Sequence, residues 1–249
     1  MSGVDSINIL YEDNHVIAVV KPPGILSQSD GSGAPDMVTL LKEDLKYRYK
    51  KPGNVYVGLV HRLDRNVGGT MLFAKTSKGA SRLSESLRRK QFYKAYFAIA
   101  VGRIPETEMV LENCLLKDSR ENKVYEDSAE GKPSVLRILR LAENTACGRT
   151  LVMALPITGR SHQIRAQMAM AGFPLEGDAK YGSGAFRRGR RQELGLWSCH
   201  AAVKHPVKET LLHVTSMPER QGIWKQFSFQ DYRQGAEVPA ERIIQWFTI

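Results

Sequence analysis

Val60-His61-Arg62-Leu63-Asp64 places an arginine and a carboxylate two residues apart straight after an apolar run. Gly58, Leu59 and Val60 read as the end of a buried strand. Asp64-Arg65-Asn66 before Gly68-Gly69 reads as a loop, the setting in which reactive groups are commonly presented. A carboxylate delivered this way can be a nucleophile; a surface Arg-Asp pair closing a turn explains the same residues taken alone. Two further segments shift the balance. Lys94 to Gly102 supplies a phenol, Tyr96, and Thr158 to Gly182 supplies a second arginine, Arg165. A carboxylate in a partly dry pocket tends to take up a proton, and a nearby guanidinium opposes that. A phenol titrating near about 10 is a poor base at neutral pH without hydrogen-bonded activation.

Positioning these groups requires several elements. Ile7 to Tyr11 and Val16 to Val20 predict a hairpin turning at Asp13-Asn14, closed by the rigid turn Lys21-Pro22-Pro23-Gly24, where Gly24 takes a backbone angle that other residues resist. Asp36 is a candidate N-cap for a helix burying Val38, Leu41 and Leu45. Met71 to Ala74 predicts a strand, and Ala80, Leu83 and Leu87 a helix over about Ser77 to Lys90. Tyr93 to Val101 is the clearest strand, with Tyr96, Ala98 and Ala100 on one face, so the small residues leave room beside the tyrosine for a flat ligand. Val110 to Leu116, Val135 to Leu141 and Thr150 to Leu155 predict further strands, and His162 to Ala171 a helix ended by Gly172. Many strands with few helices predict an α+β fold on a mixed, largely antiparallel sheet flanked by helices and loops.

The 249 residues are 42% hydrophobic and 25% charged, ample for a packed core. No apolar run approaches the roughly 18 residues that span a bilayer, and the first residues form no export signal, so a soluble, cytoplasmic protein without a membrane partner is expected. Cys114, Cys147 and Cys199 are too scattered for a zinc site or disulfide framework. His61, His162 and Asp64 lie on different elements, so no metal site is expected. The net charge of +10 favours a polyanionic partner, above all nucleic acid. Basic residues concentrate in Lys46-Tyr47-Arg48-Tyr49-Lys50-Lys51, Arg88-Arg89-Lys90 and the run containing Arg187, Arg188, Arg190 and Arg191. Each cluster taken alone reads as a solvated face; as RNA contacts, the tyrosines of the first would suit base stacking and the last would suit phosphates.

Val60-His61-Arg62-Leu63-Asp64, Lys94-Ala95-Tyr96-Phe97-Ala98 and Thr158-Gly159-Arg160-Ser161-His162-Gln163-Ile164-Arg165, in that order, resemble the signature segments of RluA-type RNA pseudouridine synthases. The likeness extends to Lys21-Pro22-Pro23-Gly24, Gly177-Asp178-Ala179-Lys180-Tyr181-Gly182, His200-Ala201 and His205-Pro206. It implies isomerisation of uridine to pseudouridine in structured RNA, ribosomal or transfer, with no cofactor and no obligatory protein partner. By the same resemblance Asp64 is the nucleophile, Arg165 the charge that serves it, and Tyr96 the residue that packs on the base and takes part in proton removal from carbon 5. Arg62 fills the space left by the flipped uridine. His61, Arg160 and Ile164 are further candidate RNA contacts, with Ile164 bordering the uracil.

Two departures stand near the site. Val67-Gly68 replaces a Thr-Ser pair common in the family, and Ala166-Gln167 replaces Val-His. Because the catalytic pattern starts almost at once, a single catalytic domain over residues 1–249 without a separate N-terminal RNA-binding domain is expected. A non-catalytic RNA-binding or ribosome-assembly protein keeping the fold is the main alternative, although binding alone would not require a nucleophile. A metal-dependent nuclease accounts for the charge but lacks clustered acidic ligands.

Overall fold

The computed structural model describes residues 7–182 and 193–248. Among them, in chain order, stand the strands β1 (Ile9–Glu12), β2 (Val16–Lys21), β3 (Gly58–Leu59), β4 (Gly68–Ala74), β5 (Phe92–Val101), β6 (Glu108–Asp118), β7 (Lys123–Glu126), β8 (Lys132–Asn144), β9 (Arg149–Pro156), β10 (Leu196–Lys204) and β11 (Leu211–Thr215). The helices are α1 (Met37–Arg48), α2 (Ser77–Arg88), α3 (Gln163–Met170), α4 (Phe229–Ala236) and α5 (Ala240–Trp246). None of them is long and apolar enough to cross a membrane. The chain divides into two compact units, Met1–Tyr93 with Ser198–Ser216, and Lys94–Trp197 with Met217–Ile249.

In the first unit the expected hairpin forms. β1 and β2 pair antiparallel around Asp13, whose Oδ1 accepts the His15 and Val16 N–H groups at 2.8 and 3.0 Å. β2 pairs antiparallel with β4 from Val16↔Ala74 to Lys21↔Gly69, β3 joins the end of β4, and β11 runs antiparallel to β10. α1 begins where Asp36 accepts the Thr39 N–H at 3.1 Å, and it buries Met37, Leu41 and Leu45. α2 is capped by Thr76 and buries Leu83. Val16, Ala18, Leu72, Ala74, Leu83, Ala201 and Val203 share one apolar cluster, against which Ala80 and Leu87 also pack, and this fixes α2 on the sheet. Gly69 permits close backbone approach: its φ is +115°, and a Cβ there would lie 2.2 Å from the Ser198 carbonyl oxygen.

The second unit carries the strand order β5-β9-β8-β6-β7. β5 pairs antiparallel with β9 from Tyr96↔Ala154 to Val101↔Arg149, and β8 pairs with both β9 and β6. The strands predicted at Val110, Val135 and Thr150 lie inside β6, β8 and β9, each longer than its apolar signal. α3 runs to Met170, and Gly172 adopts φ +85° beyond its end. α4 starts at a capping box between Ser228 and Asp231. Gly235 brings it onto β5, since a Cβ there would meet Phe97 Cε1 at 2.5 Å. Tyr232, fully buried, meets Phe97 edge to face and donates to the Trp224 carbonyl at 2.8 Å.

Candidate active site

In the first unit burial alternates from residue 61 to residue 64. His61 and Leu63 point inward, Arg62 is exposed and Asp64 is half-buried. Arg62 is thus open to solvent and Asp64 partly so. The inward side chains secure the segment: His61 Nε2 accepts the Leu72 N–H of β4 at 3.0 Å, and the ring leans on Phe92. Downstream, Val67 N–H donates to the Asp64 carbonyl at 3.0 Å and closes the turn behind the carboxylate. Val67 itself is buried. The backbone thus closes this turn without the two hydroxyls that the family commonly has here.

A second strip of chain clamps the loop from both sides of Asp64. Ser27 Oγ donates to the Leu63 carbonyl at 2.8 Å and stands 3.0 Å from the Leu63 N–H, which donates back to it. Gly24 N–H donates to the Arg65 carbonyl at 2.7 Å, and Arg65 Nε returns a bond to the Gly24 carbonyl at 3.0 Å. Gly24 adopts φ +90°, the angle its turn demands. Beneath lies Lys21, without solvent exposure, its ammonium reaching the carbonyls of Ile25, Pro22 and Arg65 at 2.7, 3.0 and 3.1 Å. Burial pushes this amine down to about 7, and the Asp64 charge acts in the opposite sense. From the sequence, Lys21-Pro22-Pro23-Gly24 reads as a rigid turn within the family likeness, with no role assigned to the Lys21 amine. The available signal was a lysine closing an apolar strand immediately before Pro-Pro-Gly.

In the second unit Tyr96 sits on β5, buried at 7% exposure, opposite Ala154 of β9. Arg165 stands one turn into α3, with buried Ile164 beside it. Its Nε and Nη2 donate to the two oxygens of Asp178 at 2.8 Å each, and its guanidinium carbon lies 5.3 Å from the centroid of Tyr181. Asp178 also accepts the Lys180 and Tyr181 N–H groups, at 2.9 and 3.1 Å. Burial tends to raise the Asp178 carboxyl, but the Arg165 hydrogen bonds and charge outweigh that and hold it below the usual range. Tyr181 is fixed in turn, accepting the Val124 N–H at 2.8 Å and lying 2.9 Å from His162 Nδ1. His162 takes the left-handed conformation at the start of α3, φ +50°. Asp178 and Tyr181 belong to a segment noted in the sequence, yet their hold on Arg165 was not anticipated.

Arg160 is exposed, with Nη2 3.2 Å from the Pro133 carbonyl. The loop behind it is organised by Gln163, whose Oε1 accepts from Thr158 Oγ1 and the Arg160 N–H while its Nε2 donates to the Val135 carbonyl. At the second family departure, Gln167 is fully buried and donates to the Leu111 carbonyl and Asn113 Oδ1 at 3.0 and 2.9 Å. Ala166 packs against Leu115 and Val124. The substituted pair therefore ties α3 to the sheet beside Arg165. Arg187, Arg188, Arg190 and Arg191 lie outside the described residues.

The family model described as RNA pseudouridylate synthase matches residues 15–170. The chain is 37% identical over 182 residues to ribosomal large subunit pseudouridine synthase C of Escherichia coli (strain K12), covering 72% of this chain and 54% of that protein. It is 38% identical over 190 residues to the protein of the same name from Haemophilus influenzae, covering 76% and 56%. The chain thus spans about half the length of these curated relatives. Among solved structures it is similar to human RNA pseudouridylate synthase domain containing 1, with a TM-score of 0.73 and 20% identity, covering 96% of this chain and 98% of that one. That last likeness is one of fold.

Proposed function

Because the chain belongs to the RluA-type RNA pseudouridine synthase family, we propose that it isomerises uridine to pseudouridine in ribosomal RNA with Asp64 as the nucleophile. The observation that carries this reading is Asp64 itself, half-exposed inside the stretch matched by the family model, on a loop gripped on both flanks. A reactive group held in one geometry loses little entropy on the way to the transition state. The carboxylate attacks the ribose, or assists elimination to a glycal, as the bond from base nitrogen to ribose breaks. The uracil turns and its carbon 5 bonds to the ribose as the carboxylate–ribose bond breaks or, in the elimination route, as the proton taken from ribose carbon 2 is returned; the proton on carbon 5 then leaves and the freed nitrogen gains one. Atoms and electrons balance without an oxidant or reductant.

Arg62, exposed two residues before Asp64, is the planar cation that enters the stack when the uridine leaves it. Tyr96 supplies the aromatic surface and hydroxyl for the base. For Arg165 the family role is electrostatic, and the support for it here is a guanidinium already fixed by Asp178 and Tyr181. Ribosomal RNA is favoured over transfer RNA by the names of the relatives.

The purified chain, incubated with an unmodified large-subunit rRNA transcript, is expected to generate pseudouridine, detected as carbodiimide-dependent stops in primer extension. Asp64→Asn should retain RNA binding and give no stops, since an amide is neutral and a far weaker nucleophile. Turnover by Asp64→Asn near the wild-type rate would overturn the assignment of the nucleophile.

A further inference from the structure

The C-terminal end of α1 leaves a tyrosine in water where a soluble protein gains by covering one. Tyr47 is 85% exposed. Around it, every residue from Lys46 to Asn54 is exposed, and the run carries Lys46, Arg48, Lys50 and Lys51.

These side chains divide into two groups. Arg48 is committed to Glu12 and Asp44, at 2.9 and 2.7 Å. Tyr49 donates to Glu12 at 2.9 Å, and its ring is approached by Arg48, Lys51 and Lys75 within 5.0–5.9 Å. Arg48 and Tyr49, bonded to Glu12 and Asp44, thus brace the helix end. Tyr47, Lys46 and Lys50 stand apart from it, making no side-chain hydrogen bond, ion pair or ring contact among the described residues. Lys50, in the left-handed conformation at φ +48°, ends the helix. The acidic residues one turn back are Glu43 and Asp44, and Arg48 neutralises the second.

We propose that this helix end is a docking surface for a single-stranded RNA segment, with Tyr47 stacking on a base and Lys46, Lys50 and Lys51 contacting phosphates. The proposal rests on the reading of the chain as an RNA-modifying enzyme and extends it to a surface away from Asp64. An open aromatic face bordered by ammonium groups that form no ion pair among the described residues matches the two needs of an unpaired strand, a stacking platform and charge neutralisation. Duplex RNA would offer no free base face to Tyr47. The other end of α1 is anchored to the strip that clamps the Asp64 loop, since Met37 N–H donates to the Leu26 carbonyl at 2.9 Å. At about 1.5 Å per residue, a strand engaged at Tyr47 lies about 15 Å along the helix from that anchor. RNA flanking the target uridine would reach it.

The test titrates the full chain with a fluorescent oligouridylate and with a duplex RNA of equal length, at several salt concentrations. Tyr47→Ala should weaken oligouridylate binding about five- to a hundredfold, leave duplex binding unchanged, and be rescued by Tyr47→Phe. Replacing Lys46, Lys50 and Lys51 together by Gln should reduce the salt slope for the oligomer by about 2. At such exposed positions thermal stability should stay at the wild-type value. Wild-type oligomer affinity in Tyr47→Ala would overturn the proposal, and is the outcome expected if the helix end serves an acidic protein instead. Failure of the wild-type chain to bind any RNA would overturn both this proposal and the enzymatic reading, whereas an unchanged Tyr47→Ala affinity would leave the latter standing.

Discussion

Arg165 and Asp178 form a two-point contact, with guanidinium Nε and Nη2 each 2.8 Å from a carboxylate oxygen, and the aspartate side chain has no solvent exposure. Bidentate pairing fixes the plane of the guanidinium as well as its position. Asp178 is therefore a positioning residue for Arg165. Asp178→Asn should lower kcat about tenfold or more with a smaller change in KM, because RNA binding draws on other residues. Removing one partner of a buried pair destabilises by about 3–5 kcal/mol, so Asp178→Ala should lose stability as well as activity. As its carboxyl is depressed in the folded chain, the contribution of Asp178 is present above the usual aspartate value of 3.8 and lost as pH falls below it. Single-turnover kinetics together with thermal melts check this, and an unchanged kcat in Asp178→Asn would refute the positioning role.

Lys21 gives a pH dependence of opposite sense. Three carbonyls face its nitrogen, an ammonium carries three N–H donors and a neutral amine two. Loss of the proton, at about 7 in the buried state, loosens a hold that includes the Arg65 carbonyl next to Asp64. Activity should fall through an alkaline limb starting near pH 7. Stability should move the other way, since the unfolded chain keeps this proton to about 10.5 and folding is therefore favoured increasingly between about 7 and 10.5. Lys21→Met should be less active and lack the limb. The same limb in that variant would assign the ionisation elsewhere.

How far such features can be read from sequence depends on whether the cause is local. α1 was legible because Asp36 caps it and Leu41 and Leu45 repeat at helical spacing. The opening hairpin was legible from Asp13 and two short apolar runs. β10 was not: eight of its nine residues are buried, so the alternation that marks a half-exposed strand is missing. α4 and α5 are seven or eight residues long and are held by partners far away in sequence, such as Phe97 against Tyr232 and the Arg137 guanidinium on the Trp246 carbonyl. Asp64, Tyr96 and Arg165 were singled out by the order of three segments. Lys21 and Asp178 gain their roles through contacts that span 44 and 13 residues, which no local pattern encodes.

Gly69 illustrates a constraint that is legible only in three dimensions. Its φ of +115° disfavours any side chain, and a Cβ would overlap the Ser198 backbone at 2.2 Å. Gly69→Ala should cost about 3 kcal/mol or more, combining backbone strain with displacement of β10 from β4. For a chain of this size that corresponds to a fall in Tm of roughly 6–12 °C. Gly53→Ala, where nothing lies within 4 Å and φ is ordinary, should fall within about 0.5 kcal/mol of the parent. Equal melting temperatures for the two variants would contradict the close approach of these strands.

On the proposed mechanism, replacing Tyr96 would separate the early and late halves of the reaction. Tyr96 is buried on β5 opposite Ala154, and Tyr96→Phe keeps its ring while removing the hydroxyl alone. Tyr96→Phe should bind RNA as the parent does and still break the bond from base to ribose. Only deprotonation at carbon 5 should slow, by about a hundredfold or more, the usual contribution of a positioned proton-transfer group. With RNA carrying tritium at carbon 5 of the target uridine, the variant should release label slowly while the parent releases it at the rate of pseudouridine formation. Equal release rates would show that the phenol hydroxyl takes no part in that step and reduce Tyr96 to a stacking surface, a role Tyr96→Leu would then expose through weaker binding.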